Sequence, residues 1–128
     1  MLAHISLGVS DIDRSKRFYD AVLLPLGYSC LRAARTFVGY GYGRDGIAFW
    51  IASAERPVPA DEKSGLHICF AAPTPAAVDA FHAAALHSGG QDNGAPGLRP
   101  IYSPDYYAAF IVDPDGYRIE AYYGPGET

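Results

Sequence analysis

The sequence predicts an α+β fold in which two duplicated βαβββ modules form a curved mixed sheet around a cleft. The chain repeats itself, because residues 2–7 align with residues 65–70 at an offset of 63. Each copy begins with a short alternating pattern that is typical of a strand and continues with an amphipathic helix pattern. Three further strand patterns complete each copy, and a tight-turn signal separates the last two. Two such units must bury their exposed sheet faces, which favours a cleft between them.

The duplication continues beyond the first strand. At the same offset Phe18 aligns with Phe81, and near the end of each copy an offset of 70 superposes residues 45–46 on residues 115–116. The second copy therefore contains seven additional residues. We divide the chain into module one (1–53), a linker (54–64) and module two (65–128), which together form a single domain.

Module one begins with the strand pattern of residues 2–9. A helix follows, which either Ser10 or Asp11 can cap and which Pro25 ends. Three further strands are predicted near residues 28–32, 36–42 and 47–53, and Asp45-Gly46 is the turn between the last two. The apolar stripe of the helix consists of Ile12, Phe18, Val22 and Leu23.

Module two repeats this order. Residues 66–71 predict a strand, Thr74 is a suitable N-cap followed by Pro75, and Gly89-Gly90 ends the helix. The apolar stripe of this helix consists of Val78, Phe81, Ala85 and Leu86. The remaining strands are predicted at residues 99–102, 106–112 and 117–123, with the turn Pro114-Asp115-Gly116 before the last.

Composition and charge restrict the partners. The chain has 128 residues, is 49% hydrophobic and 19% charged, and carries a net charge of −4, which argues against binding to nucleic acids or anionic membranes. No apolar run reaches the roughly 20 residues that span a bilayer, and no signal-peptide pattern is visible. Two cysteines, Cys30 and Cys69, fit a reducing compartment. We expect a cytoplasmic protein whose partner is a small molecule.

Two histidines and one glutamate form a candidate metal site. His4 and His67 occupy equivalent positions at the first strand of each copy, so the repeat can bring their imidazoles together. Glu120 lies among apolar residues of the last strand and either faces solvent or is paired with Arg118 or a cation. Two imidazoles and one carboxylate leave open positions on a metal for substrate. The repeat places Trp50, which cannot ligate a metal, at the position that matches Glu120.

Two segments extend this pattern to a family resemblance. The strand that His4 opens leads into VSDIDRSKRFY at residues 9–19, and residues 106–120 read YYAAFIVDPDGYRIE. Together with the duplication, they resemble the vicinal oxygen chelate superfamily, which includes glyoxalase I, extradiol dioxygenases, and fosfomycin and bleomycin resistance proteins. The resemblance covers nearly the whole chain. It is specific for the superfamily and not for one reaction.

The resemblance implies a ligand set and a reaction class. His4, His67 and Glu120 match three of the four metal-ligand positions, and Glu120 is also the expected catalytic residue. The implied cofactor is one divalent metal ion: iron(II), manganese, nickel or zinc. Trp50 departs from the fourth position, where glyoxalase I-like members use a glutamate, so a dioxygenase-like or fosfomycin-transferase-like enzyme is favoured. The alternatives are a metal-free protein of the bleomycin-resistance type that sequesters its ligand, and a scaffold without activity.

The predicted pocket adds three substrate-binding residues. Arg118 lies two residues from Glu120, hence on the same side of the strand, where it can orient that carboxylate or bind an anionic substrate oxygen. The competing interpretation places Arg118 on the surface. Trp50 provides a flat wall, Tyr107 lines the pocket, and the expected ligand is a small, partly planar anion with adjacent oxygens. We also expect a homodimer, because half-open sheets leave apolar surface uncovered, and the site can lie within one chain or across two.

Overall fold

The computed structural model describes residues 1–43, 46–57 and 62–124, and within them the βαβββ order occurs twice. Module one contains β1 (Ile5–Val9), α1 (Ile12–Leu23), β2 (Ser29–Ala33), β3 (Phe37–Gly41) and β4 (Ile47–Ser53). Module two contains β5 (Ile68–Ala71), α2 (Pro75–His87), β6 (Gln91–Leu98), β7 (Tyr107–Val112) and β8 (Arg118–Tyr123). Short 3₁₀ helices cover Leu24–Leu26 and Glu62–Ser64. The predicted turn residue Asp45 and linker residues 58–61 lie outside the described residues.

The predicted fold class is confirmed. In the described part of the chain the strands form two four-stranded mixed sheets, with the orders β1-β4-β3-β2 and β5-β8-β7-β6. The first strand of each module pairs in parallel with the last, and the other pairs are antiparallel. The strand register is the same in both modules. Ser6 pairs with Trp50 in module one, and the equivalent residues Cys69 and Glu120 pair in module two.

One strand prediction is wrong. Residues 99–102 form a turn, in which the Tyr102 N–H donates to the Arg99 carbonyl, and the strand is Gln91–Leu98. Its glycines and Pro96 are typical of loops, but β6 is an edge strand and its pairing with β7 has two register shifts. Edge strands and bulges tolerate proline and glycine because fewer backbone donors are needed there.

Both helices begin where the sequence predicts. Asp11 caps α1 by accepting a hydrogen bond from the Arg14 N–H at 3.1 Å, and Thr74 caps α2 by accepting from the Ala77 N–H at 3.0 Å. The predicted apolar stripes are largely buried, and the one exception is Leu86, which is 47% exposed. Tyr19 is also fully buried, although it is not part of the predicted stripe.

One hydrophobic core joins the two modules. The rings of Phe49 and Phe70, one from each module, lie 5.1 Å apart, and α1 packs against α2. The Tyr117 hydroxyl donates to the Gly8 carbonyl across the junction at 2.7 Å. No helix in the described residues is long and apolar enough to cross a membrane.

The sheet of module two has one face on α2 and one face away from it. Ile111 and Ile119 are buried on the α2 side. Strand alternation puts Phe110 and Glu120, which are paired in register, on the opposite side. We call that side the open face of module two.

Candidate functional site

Glu120 and His67 form a close pair on the open face of module two. His67 immediately precedes β5, which lies beside β8, and its Nε2 is 3.0 Å from Oε1 of Glu120. The carboxylate is buried, with only 2% of the residue exposed, whereas nearly half of the His67 side chain is accessible. Within the part of the chain that the structure describes, Glu120 is neither exposed to solvent nor paired with Arg118. Its partners there are His67 and a tyrosine.

That tyrosine is Tyr106, which is not among the site residues predicted from the sequence. Its hydroxyl donates to Oε2 of Glu120 at 2.5 Å, and its ring stacks on Tyr122 with centroids 4.1 Å apart. Burial, followed by the hydrogen bond to Glu120 and its negative charge, raises the pKa of Tyr106. The hydroxyl therefore stays protonated and holds the second carboxylate oxygen by a charge-assisted hydrogen bond.

Tyr107, predicted to bind substrate, lies on the other face of the sheet. Its hydroxyl donates to Oδ1 of Asp79 on α2 at 2.6 Å, and its register partner is Tyr123. The adjacent residue, Tyr106, therefore lies on the open face, where the sequence predicted Tyr107. Strand alternation was the available signal, because position 106 has the same parity as Phe110, and Phe110 pairs with Glu120.

Arg118 lies on the open face, as predicted from its spacing to Glu120. It lines a cavity of about 210 Å³ together with His67, Phe110 and Tyr102. Its Nε is buried and has no hydrogen-bond partner among the described residues. Arg118 therefore has an unmet hydrogen-bond donor and lines this cavity.

His4 and Trp50 belong to module one. His4 is exposed and directly precedes β1, as His67 directly precedes β5. The Trp50 ring packs 5.7 Å from that of Phe37, at the position of β4 that corresponds to Glu120 in β8. Across residues 1–43, 46–57 and 62–124, no three His, Cys, Asp or Glu side chains lie close enough to hold one metal ion. The structure therefore brings His67 and Glu120 together but does not bring His4 to them within one chain.

Comparisons with known proteins identify relatives along the whole domain. The family model described as Glyoxalase/Bleomycin resistance protein/Dioxygenase superfamily matches residues 1–121. No curated protein matches the sequence. A glyoxalase/bleomycin resistance protein from Albidiferax ferrireducens T118 is similar in structure, with a TM-score of 0.83 and 36% identity over 97% of this chain and 99% of that one.

Two more distant structures share the fold alone. A glyoxalase-related enzyme from Fulvimarina pelagi has a TM-score of 0.71 and 18% identity, covering 98% of this chain and 88% of its own. The fosfomycin resistance protein FosX from Mesorhizobium loti has a TM-score of 0.70 and 20% identity, covering 98% of this chain and 93% of its own.

Proposed function

Because the chain belongs to the Glyoxalase/Bleomycin resistance protein/Dioxygenase superfamily, we propose that it is a divalent-metal-dependent enzyme acting on a small compound with adjacent oxygen atoms. The observation that carries this proposal is the pair of His67 and Glu120. An imidazole nitrogen and a carboxylate oxygen 3.0 Å apart are donors that suit iron(II), manganese, nickel or zinc. Tyr106 supports the fit, because carboxylates that ligate metals are usually themselves hydrogen-bonded.

We propose that His4 of a second copy completes the ligand set in a homodimer. His4 is exposed, is equivalent to His67 in the repeat, and does not reach the His67–Glu120 pair within one chain. Large apolar side chains close to these histidines in the chain are also exposed: Leu2 at 78% and Leu66 at 47%. Apolar surface next to candidate ligands favours association, because a second chain would bury it. A divalent ion held there supplies Lewis-acid polarisation of the substrate oxygens.

Trp50 restricts the class of reaction. It occupies the repeat position of Glu120 and offers neither a ligand nor a proton acceptor. Moving a proton between adjacent carbons needs well-placed bases, and module one provides no carboxylate at that position. The site therefore fits dioxygenase-like or fosfomycin-transferase-like chemistry better than the isomerisation performed by glyoxalase I.

A tagged heterodimer tests both the metal and the shared site. We expect His4→Ala and His67→Ala homodimers each to lose bound metal, measured by elemental analysis of purified protein. A heterodimer with one chain of each variant keeps one intact site of two, so it should bind roughly half of the wild-type metal content. His87→Ala, in the last turn of α2, is the matched control and should bind as wild type.

Three other outcomes would contradict parts of this proposal. Full metal binding by His4→Ala would remove His4 from the ligand set. Loss in both homodimers without recovery in the heterodimer would place the site within one chain. Wild-type protein that binds none of the four metals would overturn the enzyme proposal and favour a metal-free protein that sequesters its ligand.

A further inference from the structure

We propose that Arg118 binds a carboxylate group of a small planar ligand in the cavity beside His67. This inference rests on the proposed function, because it names the chemical class of ligand for the same site. It assigns Arg118 a specificity-determining role that the metal site itself does not require.

The cavity has the size and walls for a small ring. Its volume is about 210 Å³, which is small for a ligand pocket. Phe110 and Tyr102 provide aromatic walls, and the remaining lining residues are Gly65, Leu66, His67, Asn93 and Arg118. Aromatic walls favour planar ligands, which stack on them or meet them edge to face.

Arg118 has unmet hydrogen-bonding capacity. Its Nε is buried without an acceptor among the described residues, and a buried donor without a partner destabilises the folded state until an acceptor reaches it. Glu120 is the nearest acid along the strand on the same face, and the structure pairs its two oxygens with His67 and Tyr106 instead of with Arg118. Because Nε is buried, the guanidinium must turn towards the cavity for Nε and one Nη to meet a ligand together. A carboxylate matches that two-pronged edge better than a single oxygen does.

A second arginine adds positive charge to this region. The Arg99 guanidinium lies over the Phe110 ring, 5.5 Å from its centroid, and donates to the Ala95 carbonyl. Arg99 and Arg118 therefore place two guanidiniums near Phe110, against the one carboxylate of Glu120 on the same face. This excess of positive charge attracts an anion to the cavity.

The spacing along β8 links this cavity to the His67–Glu120 pair. Arg118 and Glu120 are two residues apart on one face, which corresponds to about 7 Å along a strand. His67 contacts Glu120 and also lines the cavity. A carboxylate bound at Arg118 would therefore leave the rest of a small ring beside His67, where adjacent oxygens would meet the proposed metal ligands.

Benzoate and benzamide, which differ mainly in charge, test the inference on chelator-treated protein. We expect benzoate to bind wild type, measured by ligand-observed NMR titration, and benzamide to bind at least about tenfold more weakly. Arg118→Gln should weaken benzoate about tenfold, and Arg118→Lys should be intermediate because it keeps the charge without the two-pronged edge. Arg17→Gln, which changes an exposed arginine of α1, is the matched control.

The outcomes separate this inference from the proposed function. Equal binding of benzoate and benzamide, no binding of benzoate, or unchanged affinity in both Arg118 variants would overturn the carboxylate assignment. If Arg118→Gln does not fold, as judged by circular dichroism, Arg118→Lys decides. Arg118-dependent benzoate binding by a protein that holds no metal would support this inference while contradicting the proposed enzyme.

Discussion

Glu120 is a carboxylate buried in a sheet, and its two oxygens have different partners. Oε1 lies 3.0 Å from Nε2 of His67, and Oε2 accepts the Tyr106 hydroxyl at 2.5 Å. A buried charge is tolerated only when it is paired and hydrogen-bonded. Tyr106 is therefore a positioning residue, because it fixes the carboxylate through one oxygen and leaves the other for His67 or a metal.

Tyr106→Phe tests this positioning role. Removing one hydroxyl leaves Oε2 without its donor, so we expect metal affinity to fall about 10–100-fold, the range typical when a supporting hydrogen bond to a ligand is removed. The measurement is a competition titration with a metal-chelating dye. Tyr107→Phe is the control, since that hydroxyl contacts Asp79 on the opposite face and its loss should not change metal affinity. Equal losses in both variants would indicate a general structural effect.

At the scale of elements, the turn between β7 and β8 connects module two to the start of α1 in module one by hydrogen bonds. Oδ1 of Asp115 accepts hydrogen bonds from the Ser10 N–H, the Ser10 hydroxyl and Nη2 of Arg14, and Oδ2 accepts from the Ser15 hydroxyl. Asp113 accepts from the fully buried Tyr19 hydroxyl. The Asp-Pro-Asp-Gly segment, which carried part of the family resemblance, therefore joins the two modules and lies outside the candidate site.

Asp113 makes the stability of this junction depend on pH. Burial raises the pKa of Asp113, against hydrogen bonds from Tyr19 and from the backbone N–H groups of Tyr117 and Asp115 that lower it. A carboxyl whose pKa is higher in the folded state stabilises that state below its unfolded pKa, near 3.8, and loses this contribution as the pH rises through the folded value.

Asp113→Asn, which cannot ionise, isolates this effect. The free energy of unfolding of the variant, minus that of wild type, should be larger at pH 7 than at pH 3.5. Urea denaturation at both pH values measures it. Asp105→Asn, which changes an exposed residue, should show no such trend. A difference that stays constant with pH would mean that Asp113 is ionised equally in the folded and unfolded states.

The sequence predicted the helices and most strands better than it predicted the edge strand of module two and the sheet face on which a side chain lies. Caps at Asp11 and Thr74 follow from local hydrogen bonding, which depends on a few neighbouring residues. The edge strand β6 has a loop-like composition, and its pairing with β7 compensates for it. Tyr106 and Tyr107 are adjacent, so a shift of one residue exchanges their faces. His67 and Glu120 come together within one module, whereas the position of His4 depends on how modules and chains associate.

At the scale of the whole molecule, the two modules share one core, but their candidate ligands do not converge. The modules meet through α1 and α2 and through the contact of Phe49 with Phe70. This packing leaves the pair of His67 and Glu120 without His4 in the described part of the chain. In a homodimer that supplies His4 from the other copy, metal binding and dimerisation would be thermodynamically coupled.

Such a shared site predicts that metal and dimerisation strengthen each other. An ion that binds only at the interface between two chains stabilises the dimer, and the dimer raises the metal affinity by the same coupling free energy, typically about 1–3 kcal/mol. Removing metal with a chelator should therefore raise the dimer dissociation constant roughly 5–150-fold for each of the two ions, as measured by sedimentation velocity over a range of protein concentrations. His4→Ala should show the weaker constant with or without metal, while His87→Ala should respond as wild type. A dissociation constant that does not change on chelation, for a protein that binds metal, would mean that each chain holds its ion alone, because a ligand shifts only an equilibrium between states that it binds with different affinity.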